Sequence, residues 1–415
     1  MEMEDIKYFR YRLESVKMMI PGKNPIEIEP FRIDSMDIMK DYDNLFFPVF
    51  RISMTLRNED LYALIKNKTG VKFHVRMISY EYEENSNKMK SKKNVFDEVF
   101  TTFLEDETPN LDEKTMQSVK EVNRKTDDDR DLNDFGSFIE LYLFKEKDLN
   151  TGKASVNYVL KNCKVGDAIT FLLSKNGMRK VLMSPLENRN TIPEIWIPPT
   201  TVIGGLYHIE QQHGLYNTYA TIFFDIDAMY ILNRRMPCTA WRNGEKRRTT
   251  LIVASDLVAE SFYTGTYEEN GNMMVNITKN AVAFTNSSVV TDQVSGNNML
   301  VVDQNTGDIS RVKTNTVQRG SGNYHVMVNA YSNPFLVRCE EFNRTENSKV
   351  VTLNISDLDM SMFTPNKEFS MVFKDNKINK DYGGLYRLSQ AIFKFTKHDN
   401  DFKISGTFTL KMYKR

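Results

Sequence analysis

Three cysteines in 415 residues, Cys163, Cys238 and Cys339, are too few and too far apart for a disulfide framework or a CxxC zinc site. Histidine is scarce as well: His74, His208, His213, His325 and His398 leave little side-chain material for proton transfer near neutrality. No GxGxxG, Walker A, GxSxG or HExxH spacing occurs, so the phosphate cradles, nucleophile elbow and zinc pairs of the common enzyme classes are missing. No run of about 18 consecutive apolar residues is found, which removes the membrane-spanning helix. The opening MEMEDIKYFRYRLE has no apolar h-region, so a secretory leader is not expected and synthesis in a cytosol is. Neither sign of charge dominates, with 55 basic against 55 acidic residues, and a global electrostatic case for nucleic acid or an anionic membrane is absent. There is no repeat of fixed period, which argues against a solenoid or propeller.

What the chain does have is alternation. Tyr8–Val16, Ile26–Ile33, Phe50–Leu56 and Val71–Tyr82 alternate apolar with polar residues, the mark of half-buried strands; Val95–Leu104 reads as the antiparallel partner of Val71–Tyr82, and strand character resumes at Phe138–Phe144. Ser155–Leu160 and Asp167–Leu173 read as further strands, with Cys163 in the short connection between them. Asn58 is placed to cap a short helix over Glu59–Ile65. Beyond residue 261 the runs Met273–Ile277, Met299–Val302, His325–Ala330, Val350–Ile355, Phe369–Phe373, Tyr386–Thr396 and Ile404–Tyr413 are separated by turn signals such as Gly383-Gly384, as in antiparallel hairpins. The expected fold is mainly β, a β-dominated α+β protein. Its expected parts are a β domain over 1–185 carrying a charged arm at 105–132, a central unit over 186–260, and an antiparallel β domain over 261–415 open to discontinuous packing with earlier segments. Asn188–Pro199, rich in Pro and Asn, is the expected linker.

The central stretch 197–248 changes hydrophobic period twice. Pro198 and Pro199 block a preceding helix, Thr200 or Thr201 is placed to cap, Val202, Leu206, Ile209 and His213 share a helical face, and Gly214 stops it. Two apolar strands follow, Thr218–Phe224 and Met229–Leu232, on either side of Asp225-Ile226-Asp227. Two carboxylates spaced Asp-x-Asp after a strand are the one pattern that invites a divalent cation. Turn chemistry outweighs it, because the same oxygens accept turn amides and Arg234, Arg235, Arg247 and Arg248 stand ready to pair with them. His208 and His213, five apart, do not share a helix face. No catalytic, cofactor-binding or metal-ligating residue is therefore assigned. Trp241 with its basic neighbours reads as a solvated turn or protein contact. The acidic cluster Asp127, Asp128, Asp129 and Asp131 reads as a solvated tip, or as an arm that orders against a neighbouring subunit.

Two of these patterns carry a resemblance. FRIDSMDIMKDYDNLFFPVFRISMTL (Phe31–Leu56) and PPTTVIGGLYHIEQQHGLYNTYATIFFDIDAMYILNR (Pro198–Arg234) together resemble the central tail-hub or baseplate-hub proteins of contractile-tailed bacteriophages. The resemblance implies that the first pattern leads into a strand of a tube-type β-barrel or sandwich domain. It implies that the second is a helix-strand-turn-strand unit whose aspartate-rich turn and Tyr-x-Leu run are here Asp225, Asp227, Tyr230 and Leu232. It further implies a structural virion protein, assembled in the host cytoplasm into a homo-oligomeric ring, usually a trimer, that joins tail tube to central spike. Tube, spike and baseplate wedge proteins are the implied partners, without cofactor, sequence-specific nucleic acid or membrane anchor. The expected assembly contacts are Asp127, Asp128, Asp129, Asp131, Asp225, Asp227, Tyr230, Arg234, Arg235, Trp241, Arg247 and Arg248. The alternatives are another tail, neck or wedge component, and a metal-dependent enzyme using Asp225 and Asp227.

Overall fold

Alternation does build strands where it is strongest. In a computed structural model of the protein, residues 8–67, 70–82, 89–102, 136–178, 180–226, 228–234, 248–254, 265–269, 272–278, 281–286, 298–303, 309–313, 324–329, 349–398 and 401–413 are described. The first strands are β1 (Tyr8–Met19), β2 (Ile26–Glu27), β3 (Ile33–Asp41), β4 (Val49–Arg57), β5 (Lys72–Tyr82), β6 (Met89–Thr102) and β7 (Gly136–Lys145). In β1 the buried set passes from Phe9, Tyr11 and Leu13 to Val16 and Met18, because a bulge between Leu13 and Ser15 resets the period. The expected strand Ile26–Ile33 is split: Ile26–Glu27 pairs with β1 and Ile33 opens β3, since Pro30, which has no N–H to donate, starts a 3₁₀ turn over Pro30–Arg32. The short helix α1 (Asn58–Lys66) buries Leu61 and Leu64. Asn58 is its first residue and not its cap, and its side chain accepts instead from Ser137 Oγ at 3.1 Å.

Residues 146–233 form a mixed unit with its own core. It contains α2 (Glu146–Lys153), β8 (Ser155–Lys164), α3 (Val165–Lys175), β9 (Val181–Met183), β10 (Thr191–Thr201), α4 (Val202–His213), β11 (Ala220–Phe224) and β12 (Met229–Asn233). The predicted strand Asp167–Leu173 is helical: Val165, Ala168, Ile169, Leu172 and Leu173 recur at three and four residues and are all buried on one face. The predicted linker is β10, antiparallel to β8, whose end takes in Cys163. Its prolines are tolerated because, among the described residues, β10 has a strand neighbour on one side only. Helix α4 keeps its sequence-level punctuation. Thr201 Oγ1 accepts from Gly204 N–H at 3.1 Å, and Gly214, at φ 66°, takes the left-handed conformation that ends the helix.

The remaining strands are β13 (Arg248–Ala254), β14 (Gly265–Glu269), β15 (Asn272–Thr278), β16 (Val282–Asn286), β17 (Asn298–Asp303), β18 (Ile309–Lys313), β19 (Tyr324–Asn329), β20 (Lys349–Ser356), β21 (Glu368–Phe373), β22 (Gly384–His398) and β23 (Asp401–Met412), with helix α5 at Asn376–Tyr382. β17–β19 make a separate three-stranded sheet.

Hydrogen bonding runs through both halves of the chain. The antiparallel cycle β1-β5-β6-β7-β4-β3-β22-β23 returns to β1 where Tyr11 meets Phe402, a closed barrel of eight strands. The same β22–β23 hairpin belongs to a second row, β14-β15-β13-β21-β22-β23-β20-β16, in which β13 runs parallel to both β15 and β21. That row curls on itself. Its last strand β16 follows β15, the neighbour of its first strand, after three residues, 279–281, a span of at most about 15 Å at 3.8 Å per residue, and Phe284 of β16 packs on Phe373 of β21 at 5.6 Å and on Tyr382 at 4.6 Å. A bulge between Leu388 and Gln390 marks where β22 leaves β21 and joins β3. Phe393, Phe395, Phe363 and Phe408 fill the space between the walls, with Phe363 and Phe408 stacked at 3.7 Å.

Candidate assembly surface

Along β3 the buried positions include Met36, Ile38 and Lys40, so the strand carries a lysine into the core, where an unpaired ammonium is costly. Its partner is Asp225. Lys40 Nζ donates to Asp225 Oδ1 at 2.5 Å, Tyr42 Oη to Oδ2 at 3.1 Å, and the Ile226 N–H to Oδ1 at 2.6 Å, while Lys40 lies 5.5 Å from the Phe393 ring centre. The Phe224 N–H donates to Phe46 O at 2.7 Å. These bonds seat the β11–β12 hairpin of the mixed unit on the β3–β4 loop of the barrel.

Two further charged groups brace the same region. Asp43 accepts from Arg387 Nη1 at 2.8 Å, Lys411 Nζ at 2.7 Å and Ser389 Oγ at 2.5 Å, beside the β22 bulge. Burial alone would raise its pKa, but Arg387 and Lys411 outweigh burial and hold the carboxyl well below the usual carboxylate range. Lys145 Nζ reaches Glu98 at 2.7 Å and Ile226 O at 2.9 Å, with Asp148 Oδ2 3.9 Å away. That Asp148 oxygen has no hydrogen-bond partner among the described residues. Burial lifts Asp148 to about 6 against the pull of Lys145, with Glu98 adding to the rise. Inside the mixed unit, burial raises Glu210 on α4 to about 7, offset in part by the Ala220 N–H that it accepts and by Arg234.

Besides Phe31, Leu45, Tyr62 and Val372, the exposed large apolar side chains among the described residues stand in two pairs. On β7, Phe138 (63% exposed) and Tyr142 stand beside Thr55 and Arg51 of β4, and Arg51 pairs with Asp37 and lies 3.5 Å from Glu140. On the β8–β10 ribbon, Trp196 (54%) and Val159 (53%) are direct cross-strand neighbours, and Trp196 meets His208 edge-on at 6.1 Å. Exposed aromatic side chains bordered by arginine are the composition that protein interfaces favour.

Of the residues expected at contacts, Asp225 and Tyr230 are buried inside the chain: the first completes the Lys40 pair, and the second stacks on Phe223 at 5.3 Å. Arginines were expected to pair with Asp225, and a lysine distant in sequence does so. Arg248 instead bonds Glu368 through Nε at 2.7 Å. Arg234 is half-buried, and its Nε has no hydrogen-bond partner among the described residues. Asp127, Asp128, Asp129, Asp131, Asp227, Arg235, Trp241 and Arg247, with the arm 105–132, lie outside the described residues. Among the described residues no group of three His, Cys, Asp or Glu side chains is placed to hold a metal ion. Sequence reading missed Lys40, Tyr42 and Asp43, although a lysine two positions beyond Ile38 on one strand face was a usable signal of a buried pair.

The sequence profile described as "Bacteriophage PBS1 gene 109 protein" matches residues 4–413. Comparison with curated proteins gives no match. Among solved structures the chain is similar to the tail protein from Neisseria meningitidis MC58, at 10% identity and a TM-score of 0.52, over 97% of this chain and 96% of that one. The 43 kDa tail protein of prophage MuSo2 from Shewanella oneidensis follows at 11% identity and a TM-score of 0.48, over 95% and 96%. The E. coli c3393 protein, described as a component of the type VI secretion system, aligns at 9% identity and a TM-score of 0.41, over 96% and 77%. The Neisseria alignment establishes a shared β-barrel fold at nearly full length.

Proposed function

We propose a tail function from one premise: the chain belongs to the bacteriophage PBS1 gene 109 protein family. It is a structural virion protein of a phage tail, assembled in the host cytoplasm, and its role is mechanical and not catalytic. Within the tail it acts as a ring-forming hub between tail tube and central spike, in contact with baseplate wedge proteins. The observation that carries this reading is a closed barrel whose β22–β23 hairpin also belongs to a second row of strands in the same chain. A barrel and a second sheet wall per chain let three copies offer six walls around an axis, the means by which a trimer meets a six-fold tube. The full-length likeness to a tail protein supports it.

The working parts follow from that reading. The barrel and the second row of strands form the ring wall, and the unit over 146–233 is pinned to it by Lys40–Asp225. Subunit contacts fall to the Phe138–Tyr142 face, to the acidic cluster Asp127–Asp131 and to the basic turn around Trp241, with Arg234 and Arg248 on its flanks. Among the described residues no helix is long and apolar enough to cross a membrane.

Size-exclusion chromatography with light scattering, followed by negative-stain imaging alone and with tube and spike partners, tests the proposal. Rings of three copies are expected. A chain that stays monomeric and forms no ring in any mixture overturns it.

A further inference from the structure

The mixed unit carries a feature that ring closure does not use. β8 and β10 form a sheet of two strands, and among the described residues no backbone group from Ser155 to Leu160 bonds any segment other than β10. A strand edge left open in this way exposes a row of N–H and C=O groups that can pair with another chain.

The two edges of the ribbon are not equivalent. β10 carries Pro193, Pro198 and Pro199, which remove donors and guard its outer side. β8 carries no proline. Its straight run ends at Asn162, whose φ of 51° turns the backbone into the left-handed region, so the open edge spans Ser155 to Lys161.

Side chains along this edge specify the visitor. Lys161 and Lys164 are exposed on β8, exposed Lys153 lies just before it, and the one acidic residue of the ribbon is Glu194, opposite Lys161. The outer face adds Val159 and Trp196, both more than half exposed and side by side. A strand added about 5 Å from β8 would lie against Val159 and bring its own side chains beside the lysines.

We propose that the β8 edge receives an extended acidic segment of a neighbouring protein as an added strand, with Val159 and Trp196 as its apolar anchor. Backbone pairing supplies the attachment and the lysines supply selectivity, the division of labour general to β-augmentation.

The probe is a fluorescein-labelled decapeptide of alternating Glu and Val, titrated into the full-length protein by anisotropy. Three controls accompany it: a Lys–Val peptide, the Glu–Val peptide N-methylated at alternate residues, and the K161E/K164E double variant. Saturable binding of the Glu–Val peptide is expected, with slowed amide exchange over Ser155–Leu160. The N-methylated peptide, which keeps charge and side chains but lacks half its donors, should lose binding, and the double variant should weaken it at least about tenfold, equal to about 1.4 kcal/mol. Absence of saturable binding, equal binding of the N-methylated peptide, or equal binding of the Lys–Val peptide each overturns the proposal. The peptide controls decide the matter on the unaltered protein, whatever the fold of the variant.

Discussion

Lys40 on β3 and Asp225 at the end of β11 stand 185 positions apart in the chain and 2.5 Å apart in space, with side chains only 5% and 3% exposed. The pair joins the barrel to the mixed unit, and Tyr42 fills the second carboxylate oxygen. Removing one member leaves the other charge buried. Asp225→Ala is expected to cost about 3–5 kcal/mol, read as a lowered denaturant midpoint. A loss under about 1 kcal/mol would mean that water reaches Lys40. Because three donors already occupy the Asp225 carboxylate, millimolar Mg²⁺ should leave the melting temperature unchanged, and a metal-dependent rise abolished by Asp225→Asn would revive the metal reading.

Asp148 makes stability depend on pH in an unusual direction. Its carboxyl titrates near 6 in the folded chain against 3.8 for the free group, so folding binds the proton more tightly. The resulting stabilisation is complete below about pH 4 and is lost as pH rises through about 6, amounting at most to about 3 kcal/mol. Asp148→Asn should flatten the stability curve between pH 4 and 6 and exceed the wild type in melting temperature at pH 7.5. Parallel curves for the two proteins would refute this.

Asp43 behaves oppositely. Held below the ordinary carboxylate range by Arg387 and Lys411, it contributes stability that is present above about pH 4 and lost as pH falls further. Asp43→Ala removes the carboxylate that Arg387, 4% exposed, bonds at 2.8 Å, at an expected cost of about 3–5 kcal/mol. Since Asp43 ties the β3–β4 loop to the hairpin shared by the barrel and the second row of strands, limited proteolysis of Asp43→Asn should cut near the β22 bulge sooner than in the wild type.

Gly406 sits where β23 runs between β22 and β20, and a Cβ there would clash with the edge of the Phe408 ring and fall 2.9 Å from Leu358. The ring is held by its stack on Phe363 and cannot swing away cheaply. Gly406→Ala is expected to destabilise by about 1–3 kcal/mol, measured by chemical denaturation.

Phe138 separates assembly from folding. Being 63% exposed, its replacement by Asp should change the melting temperature little while lowering the fraction of protein in rings at fixed concentration. Unchanged ring formation would move the subunit contact away from β7.

Much of the local structure could be read from the residues. Strands β1, β4, β5, β20 and β23 follow from alternation, and helix α4 with its Thr201 cap and Gly214 stop follows from spacing. The misreadings were local ties broken by tertiary packing. Asp167–Leu173 is apolar enough for either period and became helical by burying a three-and-four face against its neighbours. Asn188–Pro199 looked like a linker because prolines usually interrupt sheets, yet one guarded edge accommodates three of them.

By itself the sequence determined the β-rich character, the helix-strand-turn-strand unit and the scarcity of catalytic side chains, because these depend on residue type and short-range periodicity. Tertiary structure alone decided that one hairpin serves both the barrel and a second row of strands, and that Asp225 faces inward to Lys40. Both depend on which distant segments meet. Period-two alternation says which face of a strand is apolar but is silent on its neighbour, and a carboxylate in a turn reads the same whether it meets solvent or a lysine 185 residues away.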